Sequence, residues 1–148
     1  MVDVTEKRVV YREAAAYGRI RLRHETIEAI RAGKVEKGDP LFVAAIAGIQ
    51  AAKNTPMLLP MCHPIGLTKV DVRCNIEDDE HVGCVARVRA IARTGVEMEA
   101  LTAVSVALLT VWDMVKKLEK DEKGLYPYTV IEKIVVTEKV KKDADTAS

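Results

Sequence analysis

Pro60-Met61-Cys62-His63-Pro64 sets a thiol beside an imidazole in a stretch that cannot be helical. His63 precedes a proline, whose ring pushes it out of the α region, and Pro60 has no backbone donor. The expected result is a stiff, extended loop that displays Cys62 and His63. Three readings are open for the pair: metal ligands, a nucleophile with its base, or a small buried thiol next to a hydrogen-bonded imidazole. Adjacent residues of an extended segment point apart, which speaks against the nucleophilic pair. Zinc needs further ligands at suitable spacing, and His24, His81, Cys74 and Cys84 are scattered along the chain.

Two other groups carry chemistry. Glu97 and Glu99 fall in Thr94-Gly95-Val96-Glu97-Met98-Glu99, where Thr94 and Glu97 have the spacing of a capping box. The carboxylates there either complement a helix N-terminus or read a ligand. Asp113 and Lys116 are spaced i, i+3, on one side of a helix. They form a local ion pair or an acid–base pair. Asp113 follows the apolar run from Ala100 to Trp112. A helix apolar nearly all round is buried nearly all round, so Asp113 is expected at the edge of a core, where a carboxylate can have a shifted pKa, and Lys116 could protonate a leaving oxygen if burial lowered its pKa. Lys37 and Lys53 flank one helix, and near a common pocket they suit phosphates as mobile point charges. No Walker-type or GxGxxG loop is present.

These residues need elements to hold them. Tyr17 to Arg23 alternates as a half-buried strand, after a charged, weakly patterned segment 1–16. A short helix from about Glu25 to Ala32 is closed by Gly33. Asp39-Pro40 starts a helix that runs to Lys53 and is ended by Asn54 and Pro56. Lys69–Glu77 and His81–Arg93 form a hairpin. Pairing Val72 with Ala86 keeps the even-numbered apolar residues on one face, sets Cys74 opposite Cys84, and sets Asp71 opposite Arg87. A long helix from Thr94 to about Lys120 follows, then a turn at 121–124 and a last strand from Tyr128 to Val140. Strict alternation in that strand separates Val130, Glu132, Ile134 and Val136 from Thr129, Ile131, Lys133 and Val135. The expected fold class is α+β, a mainly antiparallel sheet with helices packed on one face. Residues 1–140 form a single domain and 141–148 a polar, disordered tail.

Composition narrows the class of function. The 148 residues carry 23 Lys and Arg against 22 Asp and Glu, so charge gives no sequence-wide nucleic-acid footprint. Three cysteines without CxxC spacing read as a reduced, intracellular protein. The N-terminus lacks the apolar run of a signal peptide, and the run from Ala100 to Trp112 is too short to span a bilayer. The expected location is the cytoplasm, with no membrane or nucleic-acid partner. One Gln and two Asn beside abundant Lys, Glu and Arg are a composition seen in proteins of hot environments.

Taken together, Pro60-Met61-Cys62-His63-Pro64, Lys37-Gly38-Asp39, Ile46 to Lys53, Thr94 to Ala107 and Asp113-Met114-x-Lys116 closely resemble cyclic pyranopterin monophosphate synthase, the MoaC family of molybdenum cofactor biosynthesis. The likeness covers about residues 2–120. It implies a lyase converting 3′,8-cyclo-7,8-dihydroguanosine 5′-triphosphate to cyclic pyranopterin monophosphate with release of pyrophosphate. By position, Asp113 matches the family's catalytic aspartate and Lys116 its partner lysine. Met61, Cys62, His63, Glu97 and Met98 match substrate-contacting segments, with Glu99 beside them, and Lys37 and Lys53 match basic residues of the pocket. The resemblance also implies a ferredoxin-like fold and a homohexamer, a trimer of dimers with active sites between subunits. It implies no resident cofactor and no protein-bound metal, with Mg²⁺ able to accompany the substrate phosphates. This chain departs from the family's glycine-, serine- and lysine-rich ending, and Tyr126-Pro127-Tyr128 is also a variant, so no functional residue is carried over beyond Lys116. Glu97 and Asp113 are sixteen positions apart, about 24 Å along one helix, which predicts that one subunit's Asp113 meets another subunit's Glu97.

Overall fold

The computed structural model describes residues 1–143. In chain order the elements are β1 (Val10–Arg21), α1 (His24–Arg31), α2 (Pro40–Lys53), α3 (Thr55–Leu58), β2 (Leu67–Ile76), β3 (His81–Ala92), α4 (Glu97–Glu119) and β4 (Val130–Lys142). The four strands make one antiparallel sheet in the order β2-β3-β1-β4. The hairpin register is the expected one, with Val72 opposite Ala86, Cys74 opposite Cys84 and Asp71 opposite Arg87. Even-numbered Val72, Val82, Ala86 and Val88 are buried with Ala14, Ala16 and Ile20 of β1 beneath α2 and α4. The opposite face carries a charged ladder in which Glu13 pairs with Arg89 (2.5 Å) and Arg87 (3.4 Å), and Arg87 reaches Glu138 (2.8 Å).

Local chemistry explains the helix ends. Asp39 caps α2 by accepting from the amides of Leu41 and Phe42, with Pro40 in the first turn. Gly33 follows α1 with φ +66°, a left-handed value that glycine adopts without steric penalty. At the far end of α4, Glu119 is 1 % exposed. Its carboxylate accepts from the Arg23 amide, the Thr26 hydroxyl and the Thr129 hydroxyl (2.6 Å), which ties α1 and the entry to β4 onto α4.

Several expectations need correction. β1 begins at Val10 rather than Tyr17, because Ala14-Ala15-Ala16 lacks side chains long enough to mark a face, although Ala14 and Ala16 continue the parity of Ile20. Two bulges in β4 break its alternation, so Ile131 lies opposite Ile20 and Ile134 opposite Gly18, both even-numbered positions of β1. Lys141 and Lys142, read as tail, belong to β4, while 144–148 lie outside the described residues. Cys74 and Cys84 are joined in a disulfide and only Cys62 is free, so the three thiols are not all reduced. The register that made them neighbours also made them bondable. α4 starts at Glu97 with Val96 at the cap and no side-chain cap bond, so the capping box does not form. Nor is α4 buried all round: Ala100, Ala103, Val104, Ala107, Leu108, Val111 and Val115 face the core, whereas Leu109 is exposed. Its length and hydropathy would suit a membrane span, but half of its most apolar window is packed inside the domain.

α4 crosses the sheet closely at Gly18. A Cβ there would stand 2.7 Å from the Lys133 carbonyl oxygen, 2.7 Å from Val104 Cγ1 and 2.8 Å from Leu108 Cδ1. Gly18→Ala is therefore expected to destabilise the fold by about 1–3 kcal/mol, read as a lower urea midpoint. An unchanged midpoint would mean that α4 does not press on β1 as described.

Candidate functional site

Of the residues singled out from sequence, Lys37, Asp113 and Lys116 meet near the C-terminal end of α4, and Cys62 meets Glu99 at its N-terminal end. Near its C-terminal end Asp113 sits between two ammonium groups. Lys116 Nζ lies 3.0 Å from Asp113 Oδ1 and Lys37 Nζ lies 3.2 Å from Oδ2, with Lys37 also donating to the Asp113 carbonyl (3.1 Å). The turn before Asp39 brings Lys37 here, and Gly38 makes that turn with φ +118°. The three side chains line a cleft of about 740 Å³ that also presents Lys34, Lys117 and Lys120, with Lys117 paired to Glu36 (3.1 Å).

Hydrogen bonds from Lys116 and then Lys37 hold the Asp113 carboxyl below the usual aspartate range. The hydrogen bond to Asp113 in turn holds Lys116 above the usual lysine value. Burial does not lower Lys116: both groups are partly exposed, and pairing decides their charge. At neutral pH the cluster is a carboxylate flanked by two ammonium ions. It offers one proton acceptor and two cationic donors.

The other end of α4 carries Glu97, Met98 and Glu99, and Glu99 meets the Pro60–Pro64 segment at Cys62. That segment is not extended throughout, since Cys62 N–H bonds back to the Leu59 carbonyl (3.0 Å) and forms a turn after α3. His63 Nε2 is 2.6 Å from the Val2 carbonyl. A carbonyl only accepts, so this nitrogen carries the proton. The N-terminal ammonium approaches the sulfur of exposed Met61 (3.4 Å). Cys62 Sγ donates to Glu99 Oε2 (3.8 Å), and Glu99 is 1 % exposed with no partner for Oε1 among the described residues. Burial raises the Glu99 carboxyl above its usual range, with Glu97 adding to the rise. Burial and the nearby Glu99 push the Cys62 thiol up, which keeps it protonated and a poor nucleophile. Burial works against ionisation of Glu97, but hydrogen bonds from Lys139 (2.6 Å) and from its own amide hold it below the usual range.

The structure thus brings Lys37, Asp113 and Lys116 together, and separately Cys62 and Glu99, while Glu97 pairs with Lys139, His63 with the Val2 carbonyl and Met61 with the N-terminus. Lys53 joins neither cluster by direct contact. It lines a shallower cleft of about 430 Å³ with Ile65, Leu67 and Lys69. Sequence reasoning missed Lys139 and Arg12 near Glu97. The parity of Lys139 on β4 was hidden by a bulge, and Arg12 fell in the segment taken as unpatterned. It also missed exposed His24, Glu28 and Asp79, whose ligand atoms lie within 4.8 Å of one another, but Arg31 already pairs with both carboxylates there.

Comparison with known proteins gives the class. Residues 1–142 match the MoaC family, and the chain belongs to it. It is 60% identical over 141 residues to a protein of Thermococcus kodakarensis named probable cyclic pyranopterin monophosphate synthase, covering 95% of this chain and 90% of that one. Relatives of the same name from Pyrococcus abyssi and Sulfurisphaera tokodaii are each 59% identical over 141 residues, covering 95% of this chain and 88% and 93% of theirs.

The buried Glu99 yields a pH prediction. A carboxyl whose folded pKa stands above its unfolded value stabilises the fold below the unfolded pKa, and that contribution is lost as pH rises through the folded one. As pH rises above the ordinary glutamate range, the melting temperature of Glu99→Gln should gain on that of the wild type. Parallel profiles would contradict the raised pKa.

Proposed function

We propose that this chain converts 3′,8-cyclo-7,8-dihydroguanosine 5′-triphosphate to cyclic pyranopterin monophosphate with release of pyrophosphate, as a lyase of molybdenum cofactor biosynthesis, with Asp113 and Lys116 moving the protons. Membership of the MoaC family carries the reaction. The observation that carries the residue assignment is the carboxylate held ionised between Lys116 and Lys37 at the rim of a cleft. Closing the cyclic phosphate forms one P–O bond from a ribose-derived hydroxyl and breaks the P–O bond to pyrophosphate. Asp113 takes the hydroxyl proton. Lys116, kept charged by its partner, neutralises the leaving oxygen and returns a proton to it. Lys37 and Lys53 attract the phosphates as mobile cations.

Glu97, His63 and the backbone beside Cys62 read the purine-derived ring, with Met61, Met98 and Glu99 lining that part of the pocket. These groups and Asp113 serve one site only if two chains supply them, because sixteen helical positions span about 24 Å. We therefore take the assembly to be a homo-oligomer, a hexamer built as a trimer of dimers. Exposed Phe42, Ile46 and Leu109 on the outer sides of α2 and α4 support such contacts. The strand order β2-β3-β1-β4, with one crossover on each side of the β2–β3 hairpin, supports the ferredoxin-like reading. The protein works in the cytoplasm on a small nucleotide-derived substrate, with neither membrane nor nucleic acid as partner. That compartment follows from the biosynthetic role rather than from the cysteine count. The proton steps need no resident cofactor, and Mg²⁺ can accompany the phosphates.

Incubating the purified protein with the cyclised dihydro-GTP should release pyrophosphate. Asp113→Asn and Lys116→Ala should each lower that rate by roughly 10²–10⁴-fold while eluting from a sizing column with the wild type. Undiminished release by either variant would remove it from the proposed pair. A binding protein without proton chemistry would release none.

A further inference from the structure

One imidazole of the sheet touches carboxylates with both of its ring nitrogens. His81 opens β3 and lies opposite Arg21 of β1. Its side chain is 12 % exposed. Nδ1 is 2.9 Å from Asp78 Oδ1, in the β2–β3 turn, and Nε2 is 3.1 Å from Glu132 Oε1, in β4. An ionised carboxylate only accepts hydrogen bonds, so each contact requires a proton on the nitrogen, and the ring is an imidazolium. Both carboxyl groups are held as anions. The Glu80 amide and then His81 keep Asp78 below the usual aspartate range. The hydrogen bond from His81 lowers Glu132 in the same way, with burial opposing and Arg19 assisting.

β4 does not border β3, since β1 lies between them. Glu132 crosses that gap because it is the extra residue of a bulge. Arg19 faces Lys133 and Ile20 faces Ile131, which leaves Glu132 without a partner in the ladder. On the way it meets Arg19, whose Nη2 lies 3.0 Å from Oε2, and Arg21, whose Nε lies 4.0 Å from Oε1. Arg21 Nε also donates to the Tyr128 carbonyl (3.0 Å), and the Tyr128 hydroxyl donates to Glu80 (2.5 Å). The other acids near the turn are committed elsewhere, Glu77 to the Tyr17 hydroxyl (2.6 Å) and Asp79 to Arg31 (3.4 Å). Two links thus run from the β2–β3 turn to the entry of β4, and the one through His81 exists only while the ring holds its second proton. The same entry is tied to α4. The Thr129 hydroxyl donates to Glu119, and Tyr126 sets its ring edge-on to Trp112, which precedes Asp113, with centroids 5.2 Å apart.

We infer that His81, bridging Asp78 and Glu132 as an imidazolium, is a pH-sensitive clamp on the entry of β4. Loss of its proton turns one ring nitrogen into a lone pair facing a carboxylate. The bond there becomes a repulsion, and the segment 126–132 loosens beside the end of α4. Burial works against the charge, yet the bonds to Asp78 and Glu132 leave His81 above the usual histidine range. A group raised in this way contributes stability that is complete below its unfolded pKa and is lost as pH rises through the folded one. The two carboxyl groups are lowered on folding and lose their contribution on the acid side, so the clamp is strongest between the ordinary carboxylate and histidine ranges. It depends on the strand network alone and holds whatever reaction the protein performs.

Nitrogen-15 spectra of the wild type test the charge, and hydrogen exchange tests the clamp. The His81 ring should keep both protons to a higher pH than the histidine of an unstructured peptide. Protection of the amides at 128–132, corrected for the intrinsic exchange rate, should fall about tenfold or more as the ring titrates. His81→Gln and Glu132→Gln should each show the lower protection on both sides of that range, with no step. His24→Gln, an exposed imidazole near the same turn, should keep the step. A His81 ring that titrates with or below the peptide, a wild type without the step, a step that persists in both His81→Gln and Glu132→Gln, or one lost in His24→Gln would overturn the clamp. The wild-type measurements decide the matter even if a variant folds poorly.

Discussion

The length of α4 is the constraint from which the rest follows. Twenty-three residues in one helix fix Glu97 and Asp113 at opposite ends of a rigid body. Ala100, Ala103, Ala107 and Gly18 let that helix lie close against the sheet, and Glu119 anchors its last turn by accepting from Arg23, Thr26 and Thr129. A helix seated this way cannot bend its two ends into one pocket. The polar groups at each end therefore stand apart within one chain, and their charge states are set separately.

Those charge states differ in origin. At the Asp113 end, partly exposed side chains are governed by pairing, and the carboxylate stays ionised because two lysines surround it. At the Glu97 end, burial competes with pairing. Glu97 wins its proton balance through Lys139, whereas Glu99, with only the Cys62 thiol and its own amide to help, is pushed the other way. Two carboxylates two residues apart thus have opposite tendencies, one suited to accept hydrogen bonds as an anion and one to remain protonated. Similar divergence is a common property of functional sites.

Much of the fold was legible. Period-2 alternation excluded every odd slip of the β2–β3 register, and pairing Asp71 with Arg87 selected the observed one among the rest. Asp39-Pro40 marked the start of α2 through a side-chain cap that the chain does form. The Asp113–Lys116 pair follows from helical spacing alone. What escaped reading depended on tertiary context. The bulges of β4 leave no mark in composition, and they redirect Lys139 toward Glu97, which takes that carboxylate away from a capping role. The Cys74–Cys84 disulfide was implicit in the register, but three cysteines without CxxC spacing read as reduced. The buried Arg12 could not be inferred from a segment whose strand character its alanines concealed.

If each pocket takes Glu97 from one chain and Asp113 from its neighbour, two separately inactive variants should repair each other. Glu97→Gln and Asp113→Asn proteins, each assayed alone and then co-expressed and purified as mixed oligomers, provide the most direct measurement. Recovery of pyrophosphate release toward about one quarter of the wild-type rate, the share of pockets that random mixing leaves with both native groups, is the predicted result. Mixed oligomers no more active than either parent would contradict a site shared between chains.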